Sequence, residues 1–428
     1  MLIPIITPVV KMERKTTVSL HTLGCKLNQA ETESLSRQFS AAGYGIIENN
    51  ADICVVNTCT VTHIADRKSR HLIRLLRKSN PQAFIIVTGC CAETSSADLF
   101  RAGASMLVNN KQKEHIVELL QKQQLKIPDI QSDNHIAAHT QRVRSFIKIQ
   151  HGCTSNCTYC IVPSVRGCEY SLSPDMILKE VQDRTANGYK EVVLTGTKAG
   201  AYEYNGVFLK SLLQRILAET DIQRLHLSSL QPEELTQELL ALWQNKRLCP
   251  HFHLALQSGS DSVLRQMRRH YTVNQYLESV TMIRKLLPDA SITTDIMVGF
   301  PGESDTEFEE SYHLCRDIGF SAIHVFMYSP RPDTPAVSMD KQIDAHIKKQ
   351  RSLKMLALAY ESAIKYQKKF LGQVHDVLWE RETEQKLFNG LTDNYLRVFT
   401  HSTLPLSNRL LPVRLVSSTR QGIRGELL

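Results

Sequence analysis

Short apolar runs alternate with longer stretches of mixed polarity over the first third of the chain. The runs at 17–22, 53–57, 84–88 and 106–108 have the apolar, β-branched content of buried strands. Between and after them, 29–42, 66–78 and 113–122 carry apolar positions at helical spacing. This alternation predicts a small doubly wound parallel sheet over residues 16–125. Residues 1–15 read as a disordered or extended tail, because their apolar opening is broken by Pro4 and Pro8 and lacks the cationic start of a signal sequence. Residues 126–143 are polar, have no sustained period and read as a linker.

A second series runs from 144 to 366. Strand candidates at 146–149, 191–194, 224–227, 253–256, 294–298 and 324–327 are separated by helical stretches such as 176–187 and 209–218. Six β/α units predict a partial barrel of the TIM type, with functional groups at the carboxyl ends of the strands. The pattern changes again over 367–428. Strand-like runs at 370–380, 395–398 and 411–416, with a hairpin signal at Asn389-Gly390, predict a small β-barrel. The expected fold is therefore α/β in three parts: doubly wound sheet, partial barrel and C-terminal β-barrel.

At 428 residues and 42% hydrophobic content, the chain can build two or three cores. No stretch approaches the ~20 apolar residues of a membrane span, so no membrane partner is expected. A net charge of +8 permits a nucleic-acid partner without requiring one. Eleven cysteines without a secretory leader point to metal or redox chemistry rather than a disulfide framework. Iron–sulfur chemistry needs a reducing compartment, so a cytoplasmic location is expected.

Cys153, Cys157 and Cys160 lie in the run His151-Gly152-Cys153-Thr154-Ser155-Asn156-Cys157-Thr158-Tyr159-Cys160, just after the first strand of the second series. Three thiolates on one loop can hold three irons of a cubane cluster and leave the fourth open to a small molecule. Zinc is the alternative, but it usually takes four ligands in paired groups. No second pair lies close downstream, and Cys168 stands alone. In the first series Cys25, Cys59 and Cys90 each follow a predicted strand. Carboxyl ends of parallel strands share one sheet edge, so thiols far apart in sequence can converge on a second cluster there. The competing reading is ordinary buried cysteine. Cys54 falls mid-strand and reads as core, and Cys91 is a near neighbour of Cys90.

The cysteine run resembles that of the radical S-adenosylmethionine (SAM) enzymes, and the whole chain from about residue 17 resembles their methylthiotransferase family. Leu256-Gln257-Ser258-Gly259-Ser260, Gly299-Phe300-Pro301-Gly302-Glu303 and Tyr328-Ser329-Pro330-Arg331-Pro332 are similar to stretches of that family. Residues 390–398 resemble the signature of its TRAM domain, an RNA-binding barrel. Gly24-Cys25-Lys26-Leu27-Asn28 resembles the branch that modifies N6-threonylcarbamoyladenosine in tRNA. The branch modifying isopentenyladenosine typically reads Gly-Cys-Gln-Met-Asn there, and the ribosomal-protein branch Gly-Cys-Pro-Lys-Asn. These two remain the alternative substrates.

The resemblance implies insertion of a methylthio group at C2 of the modified adenine next to the tRNA anticodon. It implies SAM and two 4Fe-4S clusters as cofactors, one on Cys25, Cys59 and Cys90 and one on the catalytic Cys153, Cys157 and Cys160. Tyr159, Thr195, Gly196, Ser228 and Gln257 become the candidates for SAM contact. The implied partners are the tRNA anticodon stem-loop and an electron donor such as flavodoxin or ferredoxin, with the oligomeric state open. One departure stands out. After Arg166-Gly167 the family continues with arginines, whereas Cys168, Glu169 and Tyr170 follow here. Lys198, after Leu194-Thr195-Gly196, reads as a solvated side chain.

Overall fold

The structure, a computed structural model, describes residues 15–122, 143–384 and 386–428. Nearly all of the expected tail and linker lies outside the described residues. The chain divides into two compact units. The first takes the chain up to Leu23, Thr32–Cys59 and the stretch from Arg67 to Thr140. The second takes Gly24–Glu31, Thr60–Asp66 and everything from Gln141 on.

The first unit is built on a parallel sheet of β1 (Thr17–Thr22), β2 (Gly45–Ile46), β3 (Ile53–Thr58), β4 (Phe84–Gly89) and β5 (Met106–Leu107). Its order is β2-β1-β3-β4-β5, a doubly wound arrangement. The two-residue β2 has no hydrophobic run of its own and escapes the sequence pattern. Side chains alternate across β3 and β4. Ile53, Val55 and Ile86 pack with Phe39 and Ile116 on one face, while Cys54, Val56, Ile85 and Val87 pack with Ile73 and Leu99 on the other. Burial on both faces explains why these strands read as unbroken apolar runs.

The carboxyl ends of the strands are level. Thr58 of β3 pairs with Gly89 of β4, and the Leu23 N–H donates to the Asn57 carbonyl at 2.9 Å. Gly89 has φ 92°, and a Cβ there would meet the Thr58 carbonyl oxygen at 2.4 Å and Asn57 Oδ1 at 2.6 Å. Only glycine lets β4 end against β3 in this way.

In the second unit, six parallel strands succeed one another in chain order: β6 (Arg144–Lys148), Glu191–Thr195, Arg224–Leu227, His251–Leu254, Ser291–Val298 and Ala322–Met327. The first three form one sheet, and the last three form another with the short strand Ser229–Leu230. An isolated parallel bridge pairs Leu225 with Leu248, just before the fourth strand. The fourth strand begins two residues before the expected 253–256. It starts where Phe252 and Leu254 turn outward to the helices with Leu225, Leu227, Ile292 and Ile296. Tyr276, Ile283, Phe308 and Met355 cover that outer face. Alternation then leaves polar side chains on the inner face.

The C-terminal residues form a closed five-stranded barrel of Val374–Glu384, Leu387–Leu391, Arg397–His401, Gly422–Leu427 and Leu410–Thr419, in that spatial order. Trp379, Phe388, Val398, Val413, Leu415 and Ile423 fill it. Asn389-Gly390 is not the hairpin turn that its sequence suggests. It lies inside Leu387–Leu391, paired with Phe399 and Val398. Glycine is needed there because a Cβ would meet Val377 Cγ1 at 2.6 Å and the Leu378 carbonyl at 2.7 Å. The barrel is tied to the six-stranded part by buried Arg224, which donates to the carbonyls of Leu391 (2.9 Å) and Asp376 (2.6 Å). No helix among the described residues is long and apolar enough to cross a membrane.

Candidate cluster and cofactor site

The Cys153–Cys160 loop follows β6 and is fixed from several directions. Gln150 and His151 pair antiparallel with Ser171 and Tyr170. Gly152 has φ 74°, and a Cβ there would sit 1.9 Å from the Cys168 carbonyl oxygen, so only glycine permits this crossing. The Cys153 N–H donates to the Gly167 carbonyl at 3.1 Å, and the Thr154 N–H to Glu169 Oε1 at 3.1 Å. Glu169 therefore braces the loop. Thr158 is held by the carbonyls of Met267 (3.1 Å) and Gln266 (2.9 Å) and itself accepts from the Ala336 N–H at 2.8 Å. The Cys160 N–H closes a turn onto the Cys157 carbonyl at 3.1 Å.

All eleven cysteines are free thiols. Burial, then the neighbouring Cys157 and Cys153, push the Cys160 thiol up to about 12. Soft donors crowded on one loop, with the Cys160 thiol reluctant to ionise, suit a cationic metal centre that reverses the penalty. Arg269 Nη1 lies 3.5 Å from Cys157 Sγ and adds positive charge beside the sulfur. It is positioned by Tyr271 OH at 3.2 Å and by Gln231 Oε1. The three thiols fit an iron–sulfur cluster. Arg269 was not legible in the sequence, since nothing in its spacing marks it.

The SAM-contact candidates fall at strand ends. Thr195 is buried at the end of its strand. A Cβ on Gly196 would meet Gln150 Oε1 at 2.9 Å. That Gln150 side chain accepts from the Lys198 N–H (2.9 Å) and donates to the Gly152 carbonyl (3.0 Å), joining this loop to the cysteine loop. Ser228 is buried, and its hydroxyl has no hydrogen-bond partner among the described residues. Gln257 stands at φ 67°, an uncommon conformation for a residue with a Cβ. Backbone bonds to Asp295 (2.8 Å) and Met297 (2.9 Å) hold it there. An orphaned hydroxyl, a crowded glycine and a strained residue at strand ends fit a small polar ligand. Tyr159 differs: it packs against Met267, Phe300 and Tyr328, and burial pushes its phenol well up.

Lys198 is not solvated. Its ammonium lies 3.7 Å from Glu234 Oε1, and its side chain is 22% exposed. Burial of Glu234, which outweighs this pairing, raises its carboxyl to about 7.

The segments Gly24–Glu31 and Thr60–Asp66 each meet a buried arginine of the second unit. Arg166 Nη1 donates to Glu31 Oε1 at 2.8 Å, and Nη2 contacts Asn28 Oδ1. Arg331 Nη2 donates to Asp66 Oδ2 (2.7 Å) and Thr60 Oγ1 (2.9 Å), while Nη1 lies 3.3 Å from His63 Nδ1. Cys25 lies within the first of these segments, and Cys59 immediately precedes the second. Cys59 and Cys90 directly follow the paired ends of β3 and β4 in the first unit. Cys54 and Cys91 are buried in its apolar layer.

The chain matches the Radical SAM superfamily over residues 147–315 and the family described as Uncharacterized protein family UPF0004 over 17–110. It belongs to the radical SAM tRNA methylthiotransferases, and it is an enzyme. Threonylcarbamoyladenosine tRNA methylthiotransferase MtaB of Bacillus subtilis (strain 168) is 35% identical, over 94% of each chain. MtaB of Thermotoga maritima is 36% identical over 89% of this chain and 90% of its own. The tRNA-2-methylthio-N(6)-dimethylallyladenosine synthase of Thermodesulfovibrio yellowstonii is 30% identical over 96% of this chain and 98% of its own. Among solved structures, the radical S-adenosylmethionine methyltransferase TsrM of Kitasatospora setae shares the fold. Its TM-score is 0.57 at 14% identity, over 76% of this chain and 77% of that one. As a radical SAM enzyme, the protein takes SAM and 4Fe-4S cofactor.

Glu234 supplies a pH test. Its folded-state value lies above the ordinary carboxylate value, so the folded state prefers the protonated acid. Stability is lost as pH rises from about 4.5 to about 7, and the cost is complete above that. Glu234→Gln is expected to match the parent below pH ~4.5 and to exceed it above pH ~7, by about 3 kcal/mol at most. Urea denaturation at several pH values reads this; a difference independent of pH would contradict it.

Proposed function

We propose that the enzyme inserts a methylthio group at C2 of N6-threonylcarbamoyladenosine, beside the anticodon of tRNA. The observation that carries this reading is the braced three-thiol loop beside strand ends suited to SAM, in a chain similar to MtaB over nearly its whole length. Cys153, Cys157 and Cys160 would hold one 4Fe-4S cluster, and Cys25, Cys59 and Cys90 a second. Bound SAM and clusters supply the one-electron chemistry that C2 requires, because its unactivated hydrogen is beyond acid–base catalysis at neutral pH.

The chain's own side chains bind, orient and exclude water. Arg269 places charge beside the Cys157 sulfur. Gln150 couples the cysteine loop to the Gly196 turn, so the thiols and that cofactor contact keep one geometry. Ser228 offers an unused hydroxyl, and Gln257 a side chain on a backbone held in place after a strand. Fixing these groups in advance matters because group transfer to an unactivated carbon tolerates little misplacement. An electron donor of the flavodoxin or ferredoxin kind would supply the reducing equivalents.

The C-terminal barrel would hold the anticodon stem-loop through its phosphates. Arg397 and Arg414 are exposed on two of its strands. The target adenine must leave its stack to be reached.

Anaerobic turnover with reductant, SAM and tRNA carrying N6-threonylcarbamoyladenosine should add one methylthio mass to that nucleoside, and Cys157→Ala should abolish it. Modification of isopentenyladenosine instead would move the substrate to the other tRNA branch. No modified nucleoside, in protein with both clusters verified, would overturn the reading. For the RNA contact, Arg397→Gln with Arg414→Gln should weaken stem-loop binding and reduce the log–log salt slope by about two. An unchanged slope would remove these arginines from the RNA surface.

A further inference from the structure

Barrels of the TIM type usually fill their interior with branched apolar side chains. Here strand alternation turns His226, His251, His253, Asp295 and His324 to the inner face, opposite the apolar residues that meet the helices. Tyr395, at φ 63° in a turn of the C-terminal barrel, joins this group. Its ring stacks on His251 at 4.2 Å and meets His226 edge-on at 4.5 Å.

The buried polar atoms around Tyr395 are unsatisfied. Its hydroxyl, both ring nitrogens of His226 and Nδ1 of His251 have no hydrogen-bond partner among the described residues. The Lys26 ammonium lies 5.3 Å from the centre of the Tyr395 ring, with no carboxylate at ion-pair distance among the described residues. Glu191 is the acid of this neighbourhood, and its charge is already shared. Arg144 lies at 3.9 Å, Arg224 at 3.8 Å and His226 at 3.5 Å from it. Asp295 is taken by His253 at 3.3 Å. Lys26 therefore adds positive charge that Glu191, already shared by two guanidinium groups, only partly offsets, beside a buried hydroxyl and imidazole with unused hydrogen-bonding capacity.

Such a set complements a small anion, because charge-assisted hydrogen bonds strengthen where water is excluded. We propose that Lys26, with the Tyr395 hydroxyl and an imidazole N–H, forms the subsite for the carboxylate of the threonylcarbamoyl side chain. This inference rests on the substrate reading above and deepens it. The carboxylate is what separates that nucleoside from one bearing a hydrocarbon substituent. Lys26 would be a specificity-determining residue, since a hydrocarbon leaves its charge unmatched.

The test is binding of two anticodon stem-loops to the cluster-loaded enzyme, one with N6-threonylcarbamoyladenosine and one with plain adenosine. The parent should favour the first. Lys26→Met should reduce that preference about tenfold to a hundredfold, and Lys26→Arg should keep most of it. Because Lys26 adjoins Cys25, a second variant is needed. Tyr395→Phe should lower the preference about threefold to tenfold through loss of one donor, and it decides the matter if Lys26→Met loses iron. Full preference in both iron-replete variants, or in Tyr395→Phe alone when Lys26→Met is iron-poor, would overturn the subsite. If the parent enzyme does not modify the threonylcarbamoyl substrate at all, the substrate reading fails instead.

Discussion

Two buried guanidinium–carboxylate contacts constrain the segments beside Cys25 and Cys59: Arg166 with Glu31, and Arg331 with Asp66. Each puts opposite charges where water hardly reaches, a costly arrangement unless the partners stay together with their remaining hydrogen bonds made. Asn28 and His151 complete the first, and Thr60 and His63 the second. The consequence is topological. Gly24–Glu31 and Thr60–Asp66 leave the strand–helix series that surrounds them in sequence and become part of the second unit. One of these segments contains Cys25, and the other begins immediately after Cys59. Removing Arg331 would leave the buried Asp66 carboxylate without its guanidinium, which typically costs about 3–5 kcal/mol.

Glycines do the complementary work on the backbone. Gly89 and Gly152 each have a positive φ, with the carbonyl oxygen of Thr58 or Cys168 in the place of a Cβ. Each stands directly before a thiol, Cys90 or Cys153. The cysteines are thus presented by backbone crossings that no other residue could make, rather than by flexible loops. Around Cys153 the bracing extends to Glu169, whose carboxylate accepts from the Thr154 N–H.

Much of this was legible in the sequence. Strands buried on both faces announce themselves as apolar runs, and the cysteines fall at the ends of those runs. The expected three-part α/β architecture is the observed one. Misreadings came where packing overrides local preference. Asn389-Gly390 is a turn dipeptide by composition, yet Val377 and Leu378 crowd the glycine into a strand. Lys198 looks solvated until the fold places Glu234 beside it. Arg269 and the inward histidines carry no spacing signal, because their partners are distant in sequence. The polar lumen could have been suspected from His251 and His253, two residues apart on one strand, but only strand alternation with known burial shows that both point inward.

The most direct test of this account is the iron content of Arg331→Met beside that of the parent, with SAM cleavage followed in the same preparations. If the Arg331 anchor is needed to keep the Cys59 segment in place, iron should fall from about eight to about four per chain. SAM cleavage to 5′-deoxyadenosine by the Cys153, Cys157 and Cys160 site should persist. A full complement of iron together with undiminished methylthiolation would show that the anchor is dispensable and contradict the central claim.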